Sequence, residues 1–329
     1  MKEEIAVIFN PGAARGSAGR KIDKVEACLK AQGVPYKLFL TKSAEHLSET
    51  AARAVHKYPV IVGAGGDTTV TMIAAEILRY KKGNALGIIG LGSVNDLSRE
   101  FGVFKLEQAC RAIKVGRKLA LDVGVLKMGN REEPFHFLAQ ASLGLGVEVN
   151  RYVTLWMEKH TFMSRFYTVA QALAVMGAFY HSYKEKSVPL NLDLKKQEHE
   201  TTPVLTPLII FTNTSISGKE FRLSPNASPV DGKLDCCILN AETLPDLINA
   251  IIQVKRQTHV EKNTMEIYQG EHFKIFSPDP VDIQADGEIF QTDGDIEIST
   301  LPGAINMIVD QDFKPNGQPG PERIEKIEN

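Results

Sequence analysis

Short apolar runs alternate with amphipathic segments through the first 118 residues, and this alternation limits the fold more than any other feature. Ile5–Phe9, Tyr36–Leu40, residues 60–62 and residues 86–91 are brief and largely apolar, as strands buried on both faces of a parallel sheet are. Residues 21–32, 43–57 and 70–80 between them carry apolar side chains at helical spacing. In the first of these, Ile22, Val25, Cys28 and Leu29 share one face, and Gly33 follows as a C-cap. The pattern predicts an open, mostly parallel α/β sheet with helices on both faces.

From Leu119 to about residue 300 the texture changes. Residues 135–142 alternate Phe135, Phe137, Ala139 and Ala141 against His136, Leu138, Gln140 and Ser142. Leu234–Leu239, residues 265–269, 273–276 and 295–299 continue in β character, separated by turn clusters such as Pro-Val-Asp-Gly and Thr-Asp-Gly. Short strands with turn signals predict an antiparallel β-sandwich. Within it, residues 161–183 place Phe162, Phe166, Val169, Leu173, Met176 and Tyr180 at spacings of three and four, which predicts one inserted long helix. With 329 residues the chain exceeds what one core organises, so it divides into residues 1–118, residues 119–300 and a tail over 301–329.

The net charge of −2 excludes a protein that holds nucleic acid through overall positive charge. Cys28, Cys110, Cys236 and Cys237 form no CxxC pair, and the adjacent two would face opposite sides of a strand. They read as small apolar side chains in a reducing compartment rather than as a disulfide or zinc framework. The opening MKEEIAVIFNPG has no leader pattern. The longest apolar stretch, residues 169–180, is shorter than the ~20 residues a membrane-spanning helix needs. The expectation is a cytoplasmic protein that meets lipid, if at all, from the water side.

Three turns carry chemistry, each directly after an apolar run. Asn10-Pro11-Gly12-Ala13-Ala14-Arg15-Gly16 follows the first, as a small-residue turn entering a helix, where free backbone N–H groups can hold phosphate. Gly63-Ala64-Gly65-Gly66-Asp67-Thr68-Thr69-Val70 lets backbone approach a ligand closely and brings Asp67 to where a carboxylate can order a metal or its waters. The plain alternative is a glycine turn with Asp67 or Thr68 as a helix N-cap. Leu91-Gly92-Ser93-Val94-Asn95-Asp96-Leu97-Ser98-Arg99 offers a hydroxyl for phosphate in Ser93 and a carboxylate in Asp96. Each alone is a capped helix start. Three at one edge of one sheet, where open α/β sheets bind ligands, point to a nucleotide.

The set Asn-Pro-Gly-Ala, Gly-Gly-Asp-Thr-Thr and Gly-Ser-Val-Asn-Asp-Leu-Ser-Arg resembles the signature loops of the diacylglycerol kinase catalytic-domain family, which includes bacterial lipid kinases and the sphingosine and ceramide kinases. The likeness runs on through Leu121-Asp122-Val123-Gly124, Ser142-Leu143-Gly144-Leu145-Gly146, residues 224–235 and Asp286-Gly287-Glu288. It implies an NAD-kinase-like α/β domain, a lipid-binding β-sandwich and a tail returning to the first domain. It also implies ATP-dependent phosphorylation of a lipid hydroxyl with Mg²⁺, transient contact with a membrane surface, no nucleic acid, and room for a homodimer. On that resemblance ATP would be met by Asn10, Pro11, Gly12, Ala13, Ala14, Thr41, Gly65, Gly66, Asp67, Thr68, Thr69, Val70, Thr71 and Ser93. Asp67, Asp96 and Asp122 would organise Mg²⁺ through water. An acid of Asp286-Gly287-Glu288 would take the hydroxyl proton; spacing does not choose between the two, Asp286 is preferred with Glu288 orienting it, and Asp67 is the next candidate base. Ser228, Asp231 and Lys233 would hold a structural cation, two of them through carbonyls.

Two plain readings stand beside these. Asp286-Gly287 is a strong hairpin dipeptide, and residues 228–233 make a tight turn. The sequence also departs from the family where Thr68 replaces the usual fourth glycine and Thr71 a common Asn. If that glycine needs a positive φ, Thr68 is strained. Two alternatives follow: an NAD kinase-type enzyme, which shares the early loops, and a nucleotide- or lipid-binding protein weakened in catalysis through Thr68.

Overall fold

The structure is a computed structural model and describes residues 3–159, 177, 190–196, 201–219 and 221–316. The chain separates into two compact units. The first comprises Met1–Val123, Pro229–Asp231 and the chain from Pro302 onward, and the second Gly124–Ser228 and Gly232–Leu301.

In the first unit the strands β1 (Ile5–Phe9), β2 (Tyr36–Leu40), β3 (Val60–Gly65) and β4 (Ala85–Gly90) lie in the order β2-β1-β3-β4, all parallel. The end of β16 (Asp295–Ile308) adds a further parallel strand beside β4, pairing Asn306 with Ala85. All five residues of β1 are buried, as a central strand covered on both faces requires. Right-handed crossovers put α1 (Ile22–Ala31) on one face with α5 (Leu106–Val115), and α2 (Ala44–Val55) on the other with α3 (Asp67–Tyr80). Ser43 caps α2 by accepting the His46 N–H. Asp96–Glu100 forms a short α4. Near the end of the chain, the Arg117 guanidinium donates to the carbonyls of Asp310, Gln311 and Phe313 at 2.8–3.0 Å.

The second unit is the expected sandwich. One sheet has the order β12 (Met265–Gly270), β11 (Leu234–Leu239), β10 (Leu208–Thr212), β7 (Gln140–Gly144), β14 (Asp282–Ala285), β15 (Glu288–Gln291), antiparallel throughout. The other pairs β13 (His272–Phe276) with the first half of β16 and with β8 (Leu190–Lys196), then β9 (Thr201–Thr206). There β5 (Lys118–Met128) pairs with β6 (Arg131–Phe137). Leu143, Phe211 and Ile283 from the first sheet meet Phe273, Ile296 and Ile298 from the second, with the Phe211 and Phe273 rings 5.2 Å apart. On the outer face of the six-stranded sheet a second core forms beneath α6 (Leu145–Lys159) and α7 (Leu244–Arg256), around Ile210, Leu247, Ala250 and Val254. Cys236 belongs to the inner core and Cys237 to the outer one, the opposite facing expected of strand neighbours, and all four cysteines are free.

One expected strand is two. Residues 135–142 break at Leu138-Ala139, with β6 pairing into one sheet and β7 into the other. The break is held from outside: the Asp286 carboxylate accepts the N–H groups of Leu138, Ala139 and Gln140 at 2.7, 3.0 and 3.1 Å. Helix α7 had no counterpart in the sequence reading, and β16 is far longer than residues 295–299. The helix expected over 161–183 lies, Gly177 apart, outside the described residues. Among the described residues no helix is long and apolar enough to cross a membrane.

Candidate functional site

In the first unit the three turns stand where expected, after the carboxyl ends of β1, β3 and β4, and they are tied to one another. Asn10 Nδ2 donates to Thr69 Oγ1 at 3.0 Å, joining the first turn to α3, while Asn10 Oδ1 accepts the Gly12 N–H at 3.0 Å. The Asp67 carboxylate accepts the N–H groups of Asp96 and Leu97 at 3.1 and 3.2 Å, so it caps α4 and fixes the third turn to the second. Asn95, with a positive φ of 59°, closes that turn by exchanging hydrogen bonds with Gly92 at 2.7 and 2.9 Å.

Between the second and third turns there is room only for bare backbone. A Cβ on Gly92 would lie 2.6 Å from Gly66 Cα, and one on Gly65 would lie 2.4 Å from Thr69 Oγ1. Gly66 is the N-cap of the fourteen-residue α3 and offers no side-chain acceptor, so the first N–H groups of α3 are not capped from that position. The positive end of a helix suits an anion. In the first turn Ala14, Arg15 and Gly16 all have positive φ, and for Ala14 and Arg15 this is strained backbone of the kind found in ligand loops.

Other expected residues are placed differently. Thr41 is buried and its hydroxyl donates to the Phe9 carbonyl at 3.2 Å. Asp122 is fully buried in β5, and its Oδ1 accepts the Gly303 N–H at 2.7 Å. Ser93, Asp96 and Asp231 are half-buried, Lys233 is exposed, and Ser228 is buried with no hydrogen-bond partner for its Oγ. Among the described residues no group of three or more His, Cys, Asp or Glu is gathered as a metal site. The condition for strain at Thr68, a positive φ, is not met. Thr68 lies in the first turn of α3, exposed and with helical backbone, where a β-branched residue is tolerated.

In the second unit the acidic pair sits on a hairpin. Asp286 and Gly287, with φ of 44° and 92°, form the two-residue turn between β14 and β15, the geometry Asp-Gly favours. Three amides on its oxygens fix the direction of the Asp286 carboxylate. Glu288 begins β15 and is exposed.

The same unit holds an apolar cavity of about 170 Å³ that sequence reasoning missed. Leu145 and Val149 of α6, Leu247, Ala250, Ile251 and Val254 of α7, and Ile210, Leu239 and Met265 of the sheet enclose it. Its polar lining is Gln140, Ser142, Gln284 and Ser217. Two of these reach the acidic turn: the Gln140 N–H is one of the three donors to Asp286, and Gln284 Oε1 accepts the Gly287 N–H at 3.2 Å. Gln284 Nε2 also donates to Ser142 Oγ at 2.8 Å, and Asn150 of α6 donates to the Gly287 carbonyl at 3.0 Å. Arg151 ties α6 to β14 through Asp282, a bond that holds the guanidinium firmly charged. The signal available in sequence was Gln284, a polar residue with no surface role in an otherwise buried strand.

These features define a two-part protein with three glycine-bearing turns at one edge of an α/β sheet and an apolar cavity in a β-sandwich. The diacylglycerol kinase catalytic domain matches residues 4–126, and the YegS C-terminal NAD kinase beta sandwich-like domain matches residues 139–309. The chain belongs to the diacylglycerol kinase family. It is 23% identical over 297 residues to a diacylglycerol kinase of Staphylococcus aureus (88% of this chain, 87% of the relative) and 24% identical over 290 residues to one of Staphylococcus carnosus (88% and 89%). A crystal structure of a diacylglycerol kinase from Bacillus anthracis shares the fold, with a TM-score of 0.68 at 18% identity over 94% of this chain and 98% of that one.

Proposed function

We propose that this lipid kinase transfers the γ-phosphate of ATP, with Mg²⁺, to the hydroxyl of a diacylglycerol-like lipid. The observation that carries the reading is the hydrogen-bonded link between an apolar cavity and a fixed carboxylate, through Gln140 and Gln284 to Asp286 and Gly287. A pocket with this mainly aliphatic lining suits hydrocarbon. Acyl chain in the cavity would leave the lipid's polar end near the Asp286 turn.

The close-packed backbone of Gly65, Gly66 and Gly92 and the N-terminus of α3 suit the phosphates of ATP. Mg²⁺ commonly needs only one or two carboxylates besides phosphate and water, and Asp67 with Asp96 can supply them. Bound Mg²⁺–ATP supplies the phosphoryl group and neutralises its charge. The chain's own part is alignment. Asp286, held by three amides, receives the lipid hydroxyl in a fixed direction and accepts its proton, with Glu288 beside it. The relatives' names support diacylglycerol as acceptor, and sphingoid bases and phosphatidylglycerol are the competing acceptors to be assayed.

The test is labelled ATP against diacylglycerol, sphingosine, phosphatidylglycerol and NAD, using the parent protein and Ala250→Phe. Filling the cavity should cut lipid phosphorylation by about tenfold or more while ATP-analogue affinity holds. Phosphorylation of NAD alone would replace this reading with an NAD kinase. ATP binding without turnover on any acceptor would replace it with a binding protein.

A further inference from the structure

Helix α7 is apolar on two sides, and only one is used by the cavity. Leu247, Ala250 and Val254 face inward and are buried, which is the ordinary amphipathic arrangement. On the outer side Leu244, Ile248 and Ile252 stand four residues apart, so they climb one face of the helix, and they are 38%, 40% and 42% exposed. Single exposed aliphatic residues are common, whereas three in register form a patch. Lys255 continues the same face in the last turn, next to Arg256, and both are exposed. Just past the helix Val260 is 47% exposed and Lys262 is exposed beside Glu261. Negative charge gathers at the other end, where Glu242 is exposed and Asp246 closes a capping box with Thr243.

We infer that the outer face of α7 is the surface by which this protein docks on an anionic lipid bilayer, resting on the lipid-kinase reading above. Three aliphatic side chains can enter the interfacial region while Lys255, Arg256 and Lys262 meet anionic headgroups. The acidic first turn and basic last turn tilt the helix, with its C-terminal end nearer the headgroups. The basic residues Lys255, Arg256 and Lys262 beside the aliphatic stripe fit anionic headgroups, and an antiparallel pairing with a second copy of the chain is the competing occupant that the test separates. The position of the patch adds to the case. One helix separates it from the cavity, because Leu247, Ala250, Ile251 and Val254 of the same helix line that cavity. A lipid leaving the bilayer here has a single wall to pass.

The test uses full-length protein with vesicles of phosphatidylcholine alone and of phosphatidylcholine mixed with phosphatidylglycerol. The variants are Ile248→Glu, Ile252→Glu and the pair Lys255→Glu/Arg256→Glu, none of which alters a cavity-lining residue. The parent should float with anionic vesicles and not with neutral ones, and each variant should lose about tenfold in vesicle affinity. For lipid presented in vesicles KM should rise, while kcat on a short-chain, water-soluble diacylglycerol stays at the parent value. Unchanged flotation by all the variants overturns the inference. So does a parent dimer, seen by light scattering, that the Ile248→Glu change splits. Flotation is read without any turnover, so loss of the kinase reading leaves this result standing or falling by itself.

Discussion

The two units build their sites from opposite materials. In the first, three turns present backbone, while the side chains of Asn10 and Asp67 tie one turn to the next and that of Asn95 closes the third turn on itself. In the second, rigid strands and two helices present side chains around a cavity, and one carboxylate is pinned by the backbone of a broken strand. The contrast suits two ligands. Phosphates are recognised by N–H groups whatever the residues that carry them, whereas acyl chain is recognised only by apolar side-chain volume.

The largest effect should come from breaking the second site at its fixed charge. Asp286→Asn keeps a residue that tolerates positive φ and retains one acceptor oxygen, so the turn survives while the charge goes. It should lower kcat by about 10²–10⁴-fold with ATP affinity unchanged. Asp286→Ala should in addition unfold at lower denaturant, because leaving the Leu138 amide unpaired costs about 1–3 kcal/mol. Glu288→Gln should keep kcat near the parent. If Glu288→Gln loses activity and Asp286→Asn does not, the roles of the pair are reversed.

Next in size is Asp67→Asn in the first site. It should reduce turnover by about 10²–10³-fold through weakened charge organisation. It should also lower stability by about 1 kcal/mol, since an amide group can replace only one of the two acceptors that cap α4. The comparison sharpens in the kinetics, with the apparent affinity for Mg²⁺–ATP altered and KM for lipid intact. Normal turnover in this variant would leave Asp67 a helix cap and nothing more.

Thr68→Gly comes third, and it reverses what the sequence pattern suggests. Restoring the family's glycine should bring no gain in ATP affinity, because Thr68 is unstrained in the first turn of α3. Glycine there should lose a few tenths to about 1 kcal/mol of stability by thermal melting. A rise in affinity would mean that the loop changes path when nucleotide binds.

What could be read from sequence follows the same division. The first site was legible because its parts are contiguous: an apolar run, a glycine turn and a helix start lie within ten residues, and Gly-Gly-Asp serves backbone geometry wherever it occurs. The resemblance then ordered the turns. Its reach stopped at Thr68, where the motif left open whether the usual glycine needs a positive φ, and the position is helical. In the second site the resemblance named the acidic turn Asp286-Gly287-Glu288, but the cavity was illegible for a physical reason. It is assembled from Gln140, Leu145, Ile210, Ala250 and Gln284, and no spacing rule relates these residues. The alternation over residues 135–142 misled in the same way, because the hydrogen bonds that split it come from Asp286, nearly one hundred and fifty positions on. Helix α7 was missed although Thr243 and Asp246 form a capping box with Pro245 in the first turn, a signal the residues do carry.

The smallest effect concerns the frame rather than either site. Glu297 on β16 accepts from His272 of β13 at 2.8 Å and stands 3.6 Å from Lys127 of β5. The His272 bond, followed by Lys127 and Lys274, holds its carboxyl below the ordinary value of 4.5. A depressed acid binds its proton less readily in the folded state, so its contribution is present above 4.5 and fades as pH falls through the lower folded value. The side chain is 31% exposed, so water screens the pair and the contribution stays under about 1 kcal/mol. Urea unfolding of Glu297→Gln against the parent should show that small deficit at neutral pH and none well below 4.5, with kcat equal in the two proteins. A deficit that persists in acid would come from packing rather than charge. A change in kcat would mean that the sandwich is not a passive frame, and the contrast between a loop-built first site and a preformed second one would have to be redrawn around β16.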